Sequence, residues 1–291
     1  MTRAWLIALF VLAATPVVAQ TPTHPPLARQ YQAGQALAYR MTADNDGWHY
    51  TVEARAVVAR DAGGTFHEDY AWSNLVSDGQ AATLSPAMTA WRQSLSLDPD
   101  RMPAPPDLSQ ADPRLIGPIT DLMTFYADLW LAAKFNRLNA PGDHFYFPNP
   151  MVPSWADGTR VLTGADAIDF DMTLKSLDAT AGTAVLEVRH VPPPQPKLHL
   201  PAPWMSSVLA GPANNWVEVR KLDDGTFRAA VGVETFDVDI TVSTRDGHML
   251  RAEMTNPVKT VERICTDAAL TQCGDAKPHD ILRKVEIEQI P

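Results

Sequence analysis

The fold of this chain is most constrained by residues 236–254, which read FDVDITVSTRDGHMLRAEM. Apolar residues occupy every second position on both sides of a turn signal, and alternation with a period of two is typical of strands that bury one face. A three-residue loop with its glycine in the left-handed conformation pairs Ile240 with Ala252 and Val242 with Leu250. The stretch therefore predicts an antiparallel hairpin with one apolar and one charged face.

The same alternation, punctuated by turns, recurs along the chain in two blocks. Residues 37–72 contain three such runs, and residues 168–290 contain the others. The sequence also has 25 prolines, which disfavour a helical bundle and favour short elements joined by rigid loops. We predict a mainly β fold with a large curved antiparallel sheet, an incomplete barrel or a sandwich, built from two meanders.

One helix is predicted, from Gly117 to Leu138. Its apolar residues project onto one broad arc, and Asp121, Thr124 and Asp128 are placed on the opposite side. We expect this principal amphipathic helix to pack on the concave face of the sheet. It either completes the core there or forms a lid over a ligand cavity.

Residues 1–19 have the features of a secretory signal peptide. Arg3 supplies the positive charge, residues 5–14 form the apolar core, and a small-residue cleavage site ends at Ala19. This core is shorter than the about 20 residues that a membrane-spanning helix needs. Residues 20–30 contain three prolines and are expected to be a flexible leader, followed by a single β-rich domain over residues 31–291. The mature protein is expected to be periplasmic or secreted, without stable membrane insertion after cleavage.

The chain has two cysteines, Cys265 and Cys273, separated by seven residues. Because the predicted compartment is oxidising and the chain offers no other thiol, we predict that the two form a disulfide. A zinc site is disfavoured, since zinc normally takes four ligands and the sequence has no C-x-x-C. No metal and no cofactor are predicted.

Charge and motifs narrow the function classes. The formal net charge of −10 disfavours nucleic acid as a partner, because an acidic surface repels phosphates. The sequence has no G-x-S-x-G, no H-E-x-x-H and no glycine-rich phosphate loop. His67 and Asp69 share one face of a predicted strand and are the candidates for acid and base chemistry, although polar residues on strands usually only face water.

A curved antiparallel sheet with an apolar helix on its concave face resembles the incomplete-barrel lipoprotein carriers and related periplasmic lipid-binding proteins. The likeness is one of architecture, and no residue roles follow from it. We expect a ligand to contact the apolar face of the helix and the facing hairpin, with the lining residues Met123, Tyr126, Leu129, Trp130, Phe236, Ile240 and Leu250.

The leading functional hypothesis is a non-enzymatic periplasmic or secreted protein that binds a lipid or another apolar small molecule, or a protein partner, in the curved sheet. One alternative is a carbohydrate-binding or carbohydrate-active sandwich that uses loop tryptophans such as Trp155 or Trp204. Another alternative is an unrecognised hydrolase that uses His67 and Asp69. The first hypothesis would fail if protein from its own host carried no lipid and the core were filled, and an open convex position of the His67 pair would count against the last.

Overall fold

The structure is a computed structural model, and the residues that it describes are 24–96, 100, 103, 108, 111–148, 169–191, 200–206 and 216–291, with the backbone of two short strands at 154–156 and 160–163. The predicted signal peptide at residues 1–19 lies outside the described residues, and so does the first part of the predicted leader.

In the described part of the chain, fifteen strands form one antiparallel sheet. They are β1 Ala36–Asn45, β2 His49–Arg60, β3 Phe66–Ser77, β4 Gln80–Ala81, β5 Gln93–Leu95, β6 His144–Phe147, β7 Ser154–Ala156, β8 Arg160–Thr163, β9 Asp169–Asp178, β10 Thr183–Val191, β11 Trp216–Lys221, β12 Phe227–Glu234, β13 Phe236–Ser243, β14 Met249–Cys265 and β15 Lys277–Gln289.

The long strand β14 organises the sheet. Its first half pairs with β13 and its second half with β12, while β15 pairs along most of its length. From β15 the sheet continues through β1 and β2 to β3, from β13 through β10 and β9 to β6, and from β12 through β11 and β8 to β7. In the described residues the sheet is open, with edge strands, so the predicted curved antiparallel fold is confirmed in its incompletely closed form.

One principal helix packs on the concave face, as predicted. It is α2, Ile116–Phe135, and it follows the short helix α1, Pro86–Ala90, and a 3-10 turn at Pro113–Leu115. A further 3-10 turn lies at Pro203–Ser206. Helix α2 ends where Asn136 takes the left-handed conformation, before the predicted end at Leu138. None of the helices in the described residues is long and apolar enough to cross a bilayer.

The described residues contain two hydrophobic cores. The larger one joins α2 to the concave sides of β1–β3, β9, β10 and β13–β15. The smaller one lies beneath β11, β12 and the second half of β14, and it includes Met205, Leu270 and the disulfide between Cys265 and Cys273. The predicted disulfide is confirmed, and it fixes the end of β14 to the segment that leads into β15.

The predicted hairpin forms, with one change of register. Ile240 pairs with Ala252 as predicted, but a bulge after Thr241 pairs Val242 with Met249. Met249 therefore faces the larger core, and Leu250 is partly exposed and lies outside that core cluster. The loop between the strands is five residues long instead of three, which accounts for the shift.

The predicted flexible leader is docked over its described part, from residue 24 to residue 30. Leu27 is buried, and the Arg29 side chain is enclosed next to β3. This segment lies against the hairpin loop, because a Cβ on Gly247 would be only 2.5 Å from the carbonyl oxygen of Ala28. Only a glycine, with its positive φ of 69°, allows this close approach.

Candidate ligand-binding site

Helix α2 buries two aspartates that the sequence pattern placed on the solvent side. Asp121 is 3% exposed, Asp128 is fully buried, and both face the sheet. They are seven residues apart, which is about two helical turns, so they lie on the same side of the helix. The amphipathic assignment of these two residues was therefore wrong, because each carboxylate has a partner on a distant strand.

Those partners belong to one cross-strand row at the rim of the concave face, which we call the rim row. Each member stands opposite the next on neighbouring strands of the sheet. Between β13 and β14 the last pair in the register is Asp237 with Thr255, and Phe236 and Asn256 are the residues next to that pair. The rim row consists of Phe147, Phe170, His190, Phe236, Asn256, Arg283 and Asn45, one residue from each of β6, β9, β10, β13, β14, β15 and β1.

Helix α2 lies along the rim row. Asp121 is bonded to Arg283 and Asp128 to His190, three strands further along. Seven helical residues span roughly 10 Å, and three strand spacings span roughly 14 Å, a mismatch that long side chains accommodate. The helix therefore crosses the strands and covers the rim of the curved sheet.

The contact near the start of the helix is a partly buried ion pair that other hydrogen bonds support. Oδ1 of Asp121 accepts a hydrogen bond from Arg283 at 2.7 Å, and Oδ2 accepts one from the Tyr50 hydroxyl at 3.0 Å. Arg283 also donates to the side chains of Asn45 and Asn256. Burial and the Asp121 carboxylate raise the pKa of Tyr50, so the phenol remains a donor to this carboxylate.

The contact two turns later is a histidine–aspartate pair. Nε2 of His190 lies 2.7 Å from Oδ1 of Asp128, and Oδ2 of Asp128 is buried without a hydrogen-bond partner among the described residues. Burial raises the pKa of the Asp128 carboxyl, and the nearby His190 offsets part of that effect. Glu234 lies close by, and burial raises its pKa as well, against the lowering effects of Arg283 and Asn256.

The opposite flank of the helix is held by Glu68, which is fully buried on β3. One carboxylate oxygen accepts two hydrogen bonds from Arg29, at 3.1 and 2.9 Å. The other accepts hydrogen bonds from the hydroxyls of Tyr70, at 3.0 Å, and of Tyr126 on α2. Glu68 thus joins the docked amino-terminal segment, the sheet and the helix.

Aromatic rings form the apolar part of the site. The rings of Phe170 and Phe236 contact the His190 ring on either side, with centroids 4.7 and 5.0 Å away. Phe147 continues the series beside Phe170 and contacts Phe135 at the end of α2, with centroids 6.4 and 5.0 Å away. Phe135, Phe147, Phe170 and Phe236 are each only partly buried, so this end of the concave face presents apolar surface.

Six of the seven residues predicted to line a ligand site come together in the larger core. Tyr126, Leu129 and Ile240 are almost fully buried between helix and sheet, and Trp130 is 7% exposed beside Lys134. The partly buried members are Met123 and Phe236, and only Phe236 belongs to the rim row. Leu250 is the exception, because the bulge places it outside the core cluster.

The candidate pair His67 and Asp69 lies on the convex face. Nε2 of His67 is 3.2 Å from Asp69, while Glu68 between them points into the core. Asp69 borders a groove of about 520 Å³ whose lining includes five alanines of β1–β3, the arginines Arg55 and Arg92, and residues 289–291. Within the described chain, no hydrogen bond joins His67 to a serine, threonine or cysteine.

The tryptophans that the carbohydrate hypothesis requires are placed as follows. Trp204 packs against the smaller core, donates a hydrogen bond to the Leu270 carbonyl, and has the Arg263 guanidinium 5.1 Å above its ring. Trp155 lies in β7, and its side chain is outside the described residues. Among the described residues, no group of three or more His, Cys, Asp or Glu side chains is placed to hold a metal ion.

Comparisons with protein-family models, with curated proteins and with solved structures found no match for this chain.

Sequence reasoning missed the polar contacts of the site. Asp121 and Asp128, spaced by seven, lie on one side of the helix, but the apolar arc is on the other side, so the pattern assigned both to solvent. No signal marked Glu68, since alternation predicts only that it faces away from His67. Its partner Arg29 was assigned to a leader without structure.

Proposed function

We propose that this protein binds an apolar, lipid-like ligand at the rim of its curved sheet, outside the cytoplasm and without chemical conversion, and that helix α2 is the lid. The observation that carries the proposal is the way in which the lid is held. Asp121, Tyr126 and Asp128, on its buried sides, are each bonded to a side chain of the sheet.

Aspartate is almost never fully buried unless it is paired, and this helix buries two paired aspartates. Replacing a buried ion pair by well-packed apolar residues is often neutral or stabilising, so stability alone does not account for the use of polar residues here. Polar contacts between helix and sheet can be exchanged, because water or a ligand can replace a hydrogen-bond partner when the helix moves. A lid held in this way can separate from the sheet and return to one defined position.

The apolar surface for the ligand is the aromatic end of the rim row. The partly buried rings of Phe147, Phe170 and Phe236 lie side by side where α2 ends, and a ligand chain placed over them continues the apolar surface of the core. Binding without catalysis fits the surroundings of His190, whose hydrogen bond within the described chain goes to Asp128 and not to a nucleophile.

The test is to look for a bound molecule and for a saturable apolar site. Native mass spectrometry of the protein isolated from its own host should show a one-to-one adduct that organic solvent extracts. The stripped protein should bind the apolar dye N-phenyl-1-naphthylamine in a saturable way and release it to a fatty acid. Absence of both an adduct and saturable dye binding would overturn the proposal.

Two neighbouring residues of β6 give a matched pair of variants. Phe147→Ala should weaken dye binding roughly tenfold or more, because a buried aromatic side chain contributes about 1.5–3 kcal/mol. Tyr146→Ala removes a ring of similar size from the exposed face of the same strand and should leave the affinity within about twofold. Equal loss in both variants would place the dye elsewhere.

A further inference from the structure

The unpaired oxygen of Asp128 indicates the chemistry of the ligand's polar end. A buried acceptor without a partner costs about 1–3 kcal/mol, and native structures contain few of them. Oδ2 of Asp128 is such an acceptor among the described residues, whereas Oδ1 is bonded to His190 in the rim row. A ligand group that donates a hydrogen bond to Oδ2 would remove this penalty.

The charges around Asp128 favour a cationic donor. The Arg283 guanidinium is bonded to Asp121, and these two charges compensate each other. Asp128 has His190 as its hydrogen-bond partner among the described residues, and that bond uses only Oδ1. A cationic donor at Oδ2 would form a charge-assisted hydrogen bond with an ionised Asp128, which is stronger than the bond from a neutral donor.

The aromatic rings add a second attraction for a cation. The faces of aromatic rings carry partial negative charge and attract ammonium groups within about 6 Å of the centroid. Phe170 and Phe236 lie against His190, with centroids at 4.7 and 5.0 Å, and His190 carries the bond to Asp128. A head group at Oδ2 would therefore lie next to aromatic rings as well as to a carboxylate.

We infer that the ligand is a cationic amphiphile, with an ammonium head that donates to Oδ2 of Asp128 and an apolar chain that lies over the aromatic end of the rim row. This inference rests on the proposed function, since the head reaches Asp128 only when the lid helix opens. It adds the charge and the hydrogen-bonding character of the ligand, which the proposed function leaves open.

The inference has a signature in proton uptake and release. Burial raises the pKa of Asp128, so part of the free protein carries a proton on this carboxyl above the ordinary carboxyl range. An ammonium head favours the ionised form, and binding therefore releases protons. The affinity for the ammonium ligand should rise with pH from about 4, the ordinary carboxyl value, until the carboxyl is fully ionised.

The experiment compares three probes with the same twelve-carbon chain, dodecylammonium, dodecanol and dodecanoate, each titrated below its micellar concentration by calorimetry. We expect dodecylammonium to bind roughly tenfold or more tightly than dodecanol, as a charged hydrogen bond implies, and dodecanoate to bind most weakly. Repeating the titration in buffers of different ionisation enthalpy measures the released protons.

Two variants locate the effect. Asp128→Asn keeps an acceptor for His190 but removes the charge, so it should abolish the preference for dodecylammonium over dodecanol and the proton release. Asp237→Asn removes the same charge from the exposed face of β13, next to Phe236, and should change neither. If both variants lose the preference for dodecylammonium, the preference comes from long-range attraction between charges, and the inference is wrong.

The outcomes separate the two proposals. If none of the three probes binds, the proposed function fails and the inference fails with it. If dodecanol binds as tightly as dodecylammonium, or dodecanoate binds most tightly, the lidded apolar site stands and the cationic head is wrong.

Discussion

The buried pair of Arg29 and Glu68 gives the sharpest test of how the lid helix is anchored. Both side chains are fully buried, two hydrogen bonds join them, and Tyr70 and Tyr126 donate to the second carboxylate oxygen. Removing one member of a buried ion pair costs about 3–5 kcal/mol, because the remaining charge is left without compensation. Arg29→Met and Glu68→Leu should each lower the free energy of unfolding by that amount.

The double variant separates the pair from the packing around it. With both charges absent, the second substitution removes a penalty that the first created, so the double variant should be about as stable as either single variant. The coupling energy from urea unfolding should then be about as large as the loss in one single variant, about 3–5 kcal/mol. As a control, Arg55→Met breaks an exposed pair with Glu53 and should change stability by less than about 1 kcal/mol. Additive losses in the double variant, or losses near the control value, would refute the reasoning.

Three further predictions concern stability. Replacing Cys265 and Cys273 by serine should lower the free energy of unfolding by about 2.5 kcal/mol in a denaturant titration, since the bridge closes a short loop; no change on reduction of the wild type would contradict this. Burial alone would raise the pKa of Asp246, but hydrogen bonds from His248 and other neighbours lower it, so its contribution to stability is present above about pH 4 and is lost at lower pH; Asp246→Asn should flatten this loss. Burial raises the pKa of Asp128, so this carboxyl affects stability in the opposite direction. The free energy of unfolding of the wild type should fall, relative to that of Asp128→Asn, as the pH rises above about 4. A difference between the two proteins that does not vary with pH would contradict the burial effect.

The architecture was predictable because alternation records which side of a strand is buried. The assignments of Val238 and Ile240 to the buried face needed only their own positions in the sequence, and the disulfide needed only the count of thiols and an oxidising compartment. The bulge at the hairpin was not predictable in this way. A loop of three or five residues fits the same residues, and the choice moved Met249 inward in place of Leu250.

The polar contacts of the site were not predictable for a different reason. A periodic pattern scores an aspartate as exposed, and this holds unless a partner offsets the loss of hydration. The partner of Asp121 is 162 residues away and that of Asp128 is 62 residues away. Such pairs are brought together only by the order of the strands, which alternation does not specify.

The central claim, that helix α2 opens as a lid, is tested most directly by native-state hydrogen exchange. If the claim is correct, the amides of α2 exchange through a local opening that requires less free energy than global unfolding, while those of β14 and β15 exchange only on global unfolding. Addition of dodecylammonium or dodecanol should then change the exchange of α2 before that of the sheet. Exchange of α2 only together with β14 and β15, unaffected by either compound, would show that the helix is a fixed part of the core.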